Sequence, residues 1–172
     1  MNKAKDYLAL AGIAGFVVAL DQWSKYLVRM RLAPGETWSP WEWLAAHARI
    51  VQSDNTGAAF GIFQDGALFF TLVAVLVSLA IIYYYPRVPR AQRALRLALA
   101  LQLGGAIGNL MDRLLQQGRV TDIISIGKFP VFNVADASIS IGVAILLGSL
   151  LVTRSEPIEV EESLTEIEHT PS

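Results

Sequence analysis

The chain of 172 residues contains no cysteine and only two histidines. The lack of cysteine excludes disulfide bonds, thiolate metal sites and cysteine nucleophiles. With His47 and His169 as the only imidazoles, a metal centre built on histidine is not expected. The sequence therefore predicts neither a metal nor another cofactor, and no feature of it indicates a nucleic-acid partner. Aspartate and glutamate remain as the residues available for acid–base chemistry.

Long apolar stretches with few charges dominate the chain. Hydrophobic residues make up 53% of it, above the roughly 45–50% typical of soluble domains. Four stretches are long enough to cross a bilayer, or nearly so: Met1–Val28, Ala67–Tyr85, about Leu95–Leu115 and Ala137 to about Val152. The first could instead be a signal peptide, but it has no clear cleavage site and further long apolar segments follow. We expect an all-α integral membrane protein with four transmembrane helices.

The polar segments between the apolar stretches suggest an orientation. Residues 29–65 are rich in tryptophan, as expected of a segment at the lipid headgroups, and Ala48–Ser53 has strand character. An even number of spans leaves both termini on one side. Basic residues near the N-terminus and in the loop after Pro86 predict that this side is the cytoplasm. Six of the fifteen acidic residues lie after Ser155, and this tail, residues 155–172, is expected to be disordered.

Two aspartates in apolar surroundings, Asp122 and Asp136, are the strongest candidates for chemistry. Intramembrane carboxylates are costly and usually functional. Two such groups close together would share one proton. The ionised member could take a proton from water while the protonated member polarises a peptide carbonyl, which is amide hydrolysis without a metal. Because Asp136 begins a helix, whose dipole favours a negative charge, we expect it to be the ionised member.

Other polar residues occur at helical spacing inside the apolar stretches. Asp21 and Lys25 are four residues apart, so they face each other on a helix, and the simplest interpretation is a structural ion pair. Gly104 and Gly108 would let another helix approach closely. The remaining polar groups could form either a shared pocket or an interhelical hydrogen-bond network without chemistry. They are Asn109, Asp112 and Arg113 of the third span, and Asn133 with Asp136 at the start of the fourth.

Five blocks of sequence, in the same order as in a known family, resemble the bacterial lipoprotein signal peptidases, also called signal peptidase II. Each block alone is a weak signal, but five in order on a four-span chain of this length are a strong one. The resemblance extends from Asp21 to about Ser140. The blocks are Asp21-Gln22-Trp23-Ser24-Lys25, Asn55-Thr56-Gly57-Ala58-Ala59-Phe60, Gly104-Gly105-Ala106-Ile107-Gly108-Asn109 continuing to Asp112-Arg113, Val120-Thr121-Asp122, and Phe132-Asn133-Val134-Ala135-Asp136.

The resemblance implies an aspartic endopeptidase of the bacterial cytoplasmic (inner) membrane. Such an enzyme cleaves the signal peptide from a prolipoprotein, N-terminal to a cysteine that carries diacylglycerol, with an activated water. The catalytic pair would be Asp122 and Asp136. Residues implied to bind substrate or support the site are Asn55, Gly57, Asn109, Asp112, Arg113 and Asn133, together with Asp21 and Lys25 of the first helix.

The resemblance also implies a domain arrangement and partners. Residues 1–154 would form the membrane peptidase domain, with an extracytoplasmic β-containing subdomain (residues 29–65) between helices 1 and 2 that holds the substrate. The active site would lie near the outer leaflet, in contact with membrane lipid. The antibiotic globomycin should inhibit the protein, and a monomer should suffice. The acidic tail is not part of the family pattern.

Two other functions also suit intramembrane carboxylates. A small proton-coupled transporter would depend on a proton gradient, whereas peptide cleavage in detergent would not. A non-catalytic scaffold would lose stability, but no activity, when Asp122 is replaced by asparagine. The long tryptophan-rich outer segment argues against the transporter, because a minimal transporter needs little structure outside the membrane.

Overall fold

The computed structural model describes residues 3–55 and 66–154. Within these residues the chain is mostly helical and contains one small sheet. The elements, in chain order, are helix α1 (Lys3–Arg31), strand β1 (Thr37–Trp38), helix α2 (Glu42–Ala45), strand β2 (Ala48–Asn55), helix α3 (Ala67–Tyr84) with a 3-10 turn (Tyr85–Arg87), helix α4 (Arg93–Leu115), strand β3 (Val120–Ile126) and helix α5 (Val134–Arg154).

Three of the described helical segments are long and apolar enough to cross a membrane: α1, Ala67–Arg87 and α4. They agree with the first three predicted spans. The apolar part of α5 that the structure describes, Val134–Ser149, is shorter, so the fourth crossing stays a prediction. Helix α5 begins three residues before the predicted start at Ala137, which places Asp136 inside its first turn.

The three strands form one antiparallel sheet in the order β1–β2–β3. Strand β3 lies between α4 and α5 in the chain, so the sheet is not confined to the segment between the first two long helices. Strands β1 and β2 lie in the predicted β-containing segment, residues 29–65, whereas β3 was not predicted. Strand β2 extends beyond the predicted strand segment Ala48–Ser53, because Asp54 and Asn55 also pair with β3, at Thr121 and Val120.

The chain doubles back after β3. Gly127 has a φ of 52°, a left-handed conformation that glycine adopts without the strain of a side chain. Phe132 then exchanges backbone hydrogen bonds with Ile124, with N–O distances of 3.0 and 2.8 Å. This return places the first turn of α5 beside the buried part of β3. The thirteen residues between Asp122 and Asp136 thus bring the two aspartates into one region.

Small residues let α4 lie close to both α1 and α5. A Cβ atom on Gly104 would lie 2.6 Å from the Val17 Cβ of α1. One on Gly105 would overlap the carbonyl oxygen of Ala135 in α5, and one on Gly108 would lie 2.8 Å from Asp21 Oδ2. The predicted close-packing face of α4 is confirmed, and it positions polar groups of three helices at one depth.

At the start of α1, a cluster of charged residues ties this helix to the connection between α3 and α4. Asp6 of α1 is 2% exposed, and its Oδ1 accepts hydrogen bonds from Arg90 Nε at 2.9 Å and Arg96 Nη2 at 2.8 Å. Arg96 also donates to the carbonyl of Val88 at 3.0 Å and stacks on the Tyr85 ring, 4.2 Å from its centroid. The start of α1 is therefore tied to the connection between α3 and α4.

Candidate active site

Asp122 projects from β3 into a polar pocket between the sheet and the helices. It is 3% exposed. Its Oδ2 accepts a hydrogen bond from Asn55 Nδ2 of the neighbouring strand at 3.0 Å, and its Oδ1 accepts one from Asn133 Nδ2 at 2.7 Å. Each carboxyl oxygen therefore has a neutral amide donor, which holds the side chain in one orientation.

Asp136 is held by a reciprocal hydrogen-bond pair at the start of α5. Asn133, the residue before the helix, accepts a hydrogen bond through Oδ1 from the Asp136 backbone N–H at 2.9 Å. In return, Asp136 Oδ2 accepts one from the Asn133 backbone N–H at 3.3 Å. This pattern is a capping box, in which two otherwise unpaired N–H groups of a helix start are satisfied. Asn109 Nδ2 donates to the other oxygen, Asp136 Oδ1, at 2.7 Å.

Asn133 and Asn109 connect the two aspartates. Asn133 Nδ2 donates to Asp122 Oδ1 and also lies 3.2 Å from Asn109 Oδ1, while Asn109 donates to Asp136. The two aspartates line the same cavity of about 560 Å³, which is shared with Asn55, Asn109 and Arg113. Aromatic and aliphatic side chains form most of its remaining wall, among them Phe70, Val120, Phe129, Phe132 and Ile139.

The surroundings of Asp122 favour its protonated form. Burial, and next the negative charge of Asp136, raise the pKa of the Asp122 carboxyl to about 6. The hydrogen bonds from Asn55 and Asn133 oppose this shift, because they stabilise the charged form. The carboxyl group can therefore change protonation near neutral pH, which is what a general acid or base needs.

A buried charge cluster lies directly beneath the two aspartates. Lys25 Nζ is 2.8 Å from Asp21 Oδ2 and 3.0 Å from Asp112 Oδ2, and these three side chains are at most 1% exposed. Lys25 also donates to Asn109 Oδ1 at 3.2 Å. Because every acceptor faces a donor, the cost of burying three charges is offset by their mutual attraction and hydrogen bonds. The predicted Asp21–Lys25 pair is thus part of a triad, which we call the Lys25 cluster (Asp21, Lys25 and Asp112).

The Lys25 cluster positions both elements that carry the cavity aspartates. Asp112 Oδ2 accepts a hydrogen bond from the backbone N–H of Thr121 at 3.0 Å, and Asp21 Oδ1 accepts one from the backbone N–H of Ala135 at 2.9 Å. Thr121 immediately precedes Asp122, and Ala135 immediately precedes Asp136. One lysine therefore links the two carboxylates that fix the backbone just before each cavity aspartate.

The structure brings together all but one of the predicted site residues. Gly57 lies outside the described residues. Sequence reasoning missed Thr121, whose Oγ1 accepts a hydrogen bond from Arg29 at 3.0 Å, and Gln22, which donates to Asp112 Oδ1 at 3.2 Å. The segment Val120–Ile126, in which five of seven residues are β-branched, is typical of a strand and could have revealed β3.

Removal of the Lys25 charge should strongly destabilise the protein. Lys25→Met would leave Asp21 buried without its cation and Asp112 with only Arg29, whose Nη1 lies 3.5 Å from Asp112 Oδ1. Removing one partner of a buried ion pair costs about 3–5 kcal/mol in comparable sites. We expect a large drop in the thermal unfolding midpoint of the purified protein in detergent. Lys128→Met is the matched control, because Lys128 is exposed. Equal midpoints for the two variants would contradict a central structural role of the cluster.

Comparisons with known proteins agree on one family. A family model described as signal peptidase (SPase) II matches residues 13–152. The chain is 41% identical over 143 residues to the lipoprotein signal peptidase of Shouchella clausii. The aligned region covers 81% of this chain and 91% of that protein. The chain is 40% identical over 144 residues to the lipoprotein signal peptidase of Moorella thermoacetica, covering 84% of this chain and 93% of that protein.

Solved structures agree with the sequence matches. Two structures described as bacterial membrane enzymes determined by the in meso method are each 31% identical to the chain. The first superposes with a TM-score of 0.80, over 89% of this chain and 93% of the matched chain. The second superposes with a TM-score of 0.73, over 83% of this chain and 92% of the matched chain. Together with the apolar helices, these neighbours support a multi-pass bacterial membrane protein. The chain belongs to the signal peptidase II family.

Proposed function

We propose that the protein is an aspartic endopeptidase that cleaves lipoprotein signal peptides, with Asp122 and Asp136 as the catalytic pair. Membership of the signal peptidase II family supports the reaction. One observation supports the choice of residues more than any other: both carboxyl groups line the same cavity and are connected through Asn133. Among the described residues that line the cavity, the other polar side chains are those of Asn55, Asn109, Arg113 and Ser140. The two carboxyl groups are the best suited of these side chains to acid–base chemistry.

In the proposed mechanism the two aspartates divide the work. Asp136, ionised at the N-terminus of α5, takes a proton from a water molecule whose oxygen attacks the scissile carbonyl carbon. Asp122, whose pKa is raised to about 6 so that its proton is retained up to that pH, donates a hydrogen bond to the carbonyl oxygen. When the carbon–nitrogen bond breaks, the proton held by Asp136 passes to the leaving nitrogen. The products are the carboxyl end of the signal peptide and a free amine on the lipoprotein.

The helix start at Asp136 and the burial of Asp122 support this division. The hydrogen bonds alone do not distinguish the two groups, because each carboxyl accepts two. Asp136 accepts from Asn109 and from the Asn133 backbone N–H, and donors of this kind stabilise a carboxylate. Asp122 is the more deeply buried of the two, and burial favours its neutral form. Two identical side chains thereby acquire different roles from their surroundings.

The proposed substrate is a prolipoprotein whose diacylglyceryl cysteine lies just after the scissile bond. A lipid-attached substrate can reach the site laterally from the bilayer, and the apolar wall of the cavity suits such a substrate. Trp38, Trp41 and Trp43 are 56–70% exposed, as expected where a protein meets the headgroup region. We place this side outside the inner membrane and both termini in the cytoplasm, and we expect a monomer to be active and globomycin to inhibit it.

The catalytic pair is tested by conservative replacement of each aspartate. Asp122→Asn and Asp136→Asn should each lower cleavage of a diacylglyceryl-modified prolipoprotein by roughly 10²–10⁴-fold or more, because each removes one acid–base group. Cleavage is measured with purified protein in detergent, after thermal unfolding has shown that each variant folds. The matched control is Asp54→Asn, since Asp54 is an exposed residue of β2 and should keep wild-type activity.

Two outcomes would contradict the proposal. Retained activity in a folded Asp122→Asn or Asp136→Asn variant would show that the pair is wrongly chosen. Absence of cleavage by folded wild-type protein, combined with proton flux in vesicles, would instead favour a transporter.

The pH dependence of cleavage should report the proton on Asp122. Because the pKa of Asp122 is raised to about 6, the required proton is present below that pH and is lost above it. We expect kcat/KM to fall as the pH rises past about 6. Asn55→Ala removes a hydrogen bond that stabilises the charged form, so the falling limb should move to higher pH. A shift to lower pH would contradict the assignment.

A further inference from the structure

A second cavity continues from the active site along the membrane-spanning helices. It has a volume of about 260 Å³ and shares Phe70, Asn109, Arg113 and Ile139 with the active-site cavity. We call it the α3–α5 groove, and its remaining lining residues are Val73, Ala74 and Val77 of α3 with Gln102 and Ala106 of α4.

One side of α4 forms the floor of this groove. Gln102, Ala106, Asn109 and Arg113 follow each other at intervals of four, three and four residues, which places them on one face of a helix. Gln102 precedes Asn109 by seven residues, so it lies about 10 Å farther from the carboxylates along the helix axis. The groove therefore leads from the catalytic pair towards the interior of the bilayer.

Gln102 presents a donor without an acceptor. Its Nε2 atom is buried and has no hydrogen-bond partner within residues 3–55 and 66–154, and the same is true of Arg113 Nε on the same face. An unpaired donor at membrane depth is costly, because hydrocarbon offers no acceptor. The position of the Gln102 amide is explained if a molecule bound in the α3–α5 groove supplies the missing acceptor.

A signal-peptide helix would bring such acceptors into the groove. The last four carbonyl groups of any α-helix have no partner within the helix. Attack on the scissile bond requires that bond to be free of helical hydrogen bonds, so an extended stretch must separate the helix end from the carboxylates. Three extended residues span about 10 Å, which matches the distance from Asn109 to Gln102.

We propose that Gln102 is a substrate-binding residue that donates a hydrogen bond to an unpaired carbonyl at the C-terminal end of the signal-peptide helix. This inference rests on the proposed peptidase function. It makes the α3–α5 groove the path of the apolar part of the signal peptide. Gln102 acts on binding rather than on the chemical step, because it lies two helical turns from the catalytic pair.

The test compares two substrates and two variants without the donor. Gln102→Leu and Gln102→Met should raise KM about three- to tenfold for a lipopeptide with a complete signal-peptide helix, as expected for one lost hydrogen bond. The kcat should not change, because the interaction is the same in the ground and transition states. A lipopeptide truncated to two residues before the scissile bond cannot reach Gln102, so on it the variants and wild type should agree.

Stability separates substrate binding from a structural role. Since the variants remove an unpaired buried amide, the thermal midpoint should stay the same or rise. Gln92→Leu, an exposed position at the start of α4, is the matched control and should leave both KM and midpoint unchanged. A lowered midpoint with weaker cleavage of both substrates would show that Gln102 is structural and would overturn the inference.

The two lipopeptides also show whether the role of Gln102 alone is wrong or the peptidase activity itself is absent. If wild type cleaves and the Gln102 variants have the wild-type KM on the complete substrate, the role of Gln102 is refuted and the peptidase proposal stands. If folded wild type cleaves neither lipopeptide, the peptidase proposal falls and the inference with it.

Discussion

The ion triad of Lys25 with Asp21 and Asp112 is the interaction on which the rest of the site depends. Its two carboxylates neutralise the lysine, and each also accepts a hydrogen bond from the backbone N–H of the residue before a cavity aspartate. Lys25 thereby links the two carboxylates that hold the backbone of β3 and of α5. The approach of α1 to α4 at glycine positions makes this possible, because a Cβ on Gly108 would lie 2.8 Å from Asp21 Oδ2.

The local backbone explains how two similar carboxyl groups can behave differently. Asp136 lies in the first turn of a helix and takes part in a capping box with Asn133, where donors surround the carboxylate. Asp122 lies on a strand that is buried on both faces over its first four residues, and this burial raises its pKa. In the proposed mechanism, the two aspartates differ because one lies on a strand and the other at the start of a helix.

Much of this arrangement could be predicted from the sequence, for identifiable reasons. Three long apolar helices and the Asp21–Lys25 pair follow from hydropathy and helical spacing, which are local properties. Strand β3 was not predicted, because Asp122 and Ser125 interrupt its β-branched residues and so short an apolar segment has no clear period. The sequence therefore predicts strand character at Ala48–Ser53 but not the strand that pairs with it. The link from Lys25 to Thr121 and Ala135 depends on contacts between distant segments, which no local pattern contains.

The central claim is that Asp122 and Asp136 act together on one scissile carbonyl. The most direct test is the structure of the protein bound to a lipopeptide in which the scissile amide is replaced by a hydroxyethylene group, a mimic of the tetrahedral intermediate. Such mimics bind where the transition state is stabilised. The account predicts that the hydroxyl oxygen lies within about 3.2 Å of a carboxyl oxygen of each aspartate. A hydroxyl bound to only one of them, or to neither, would contradict it.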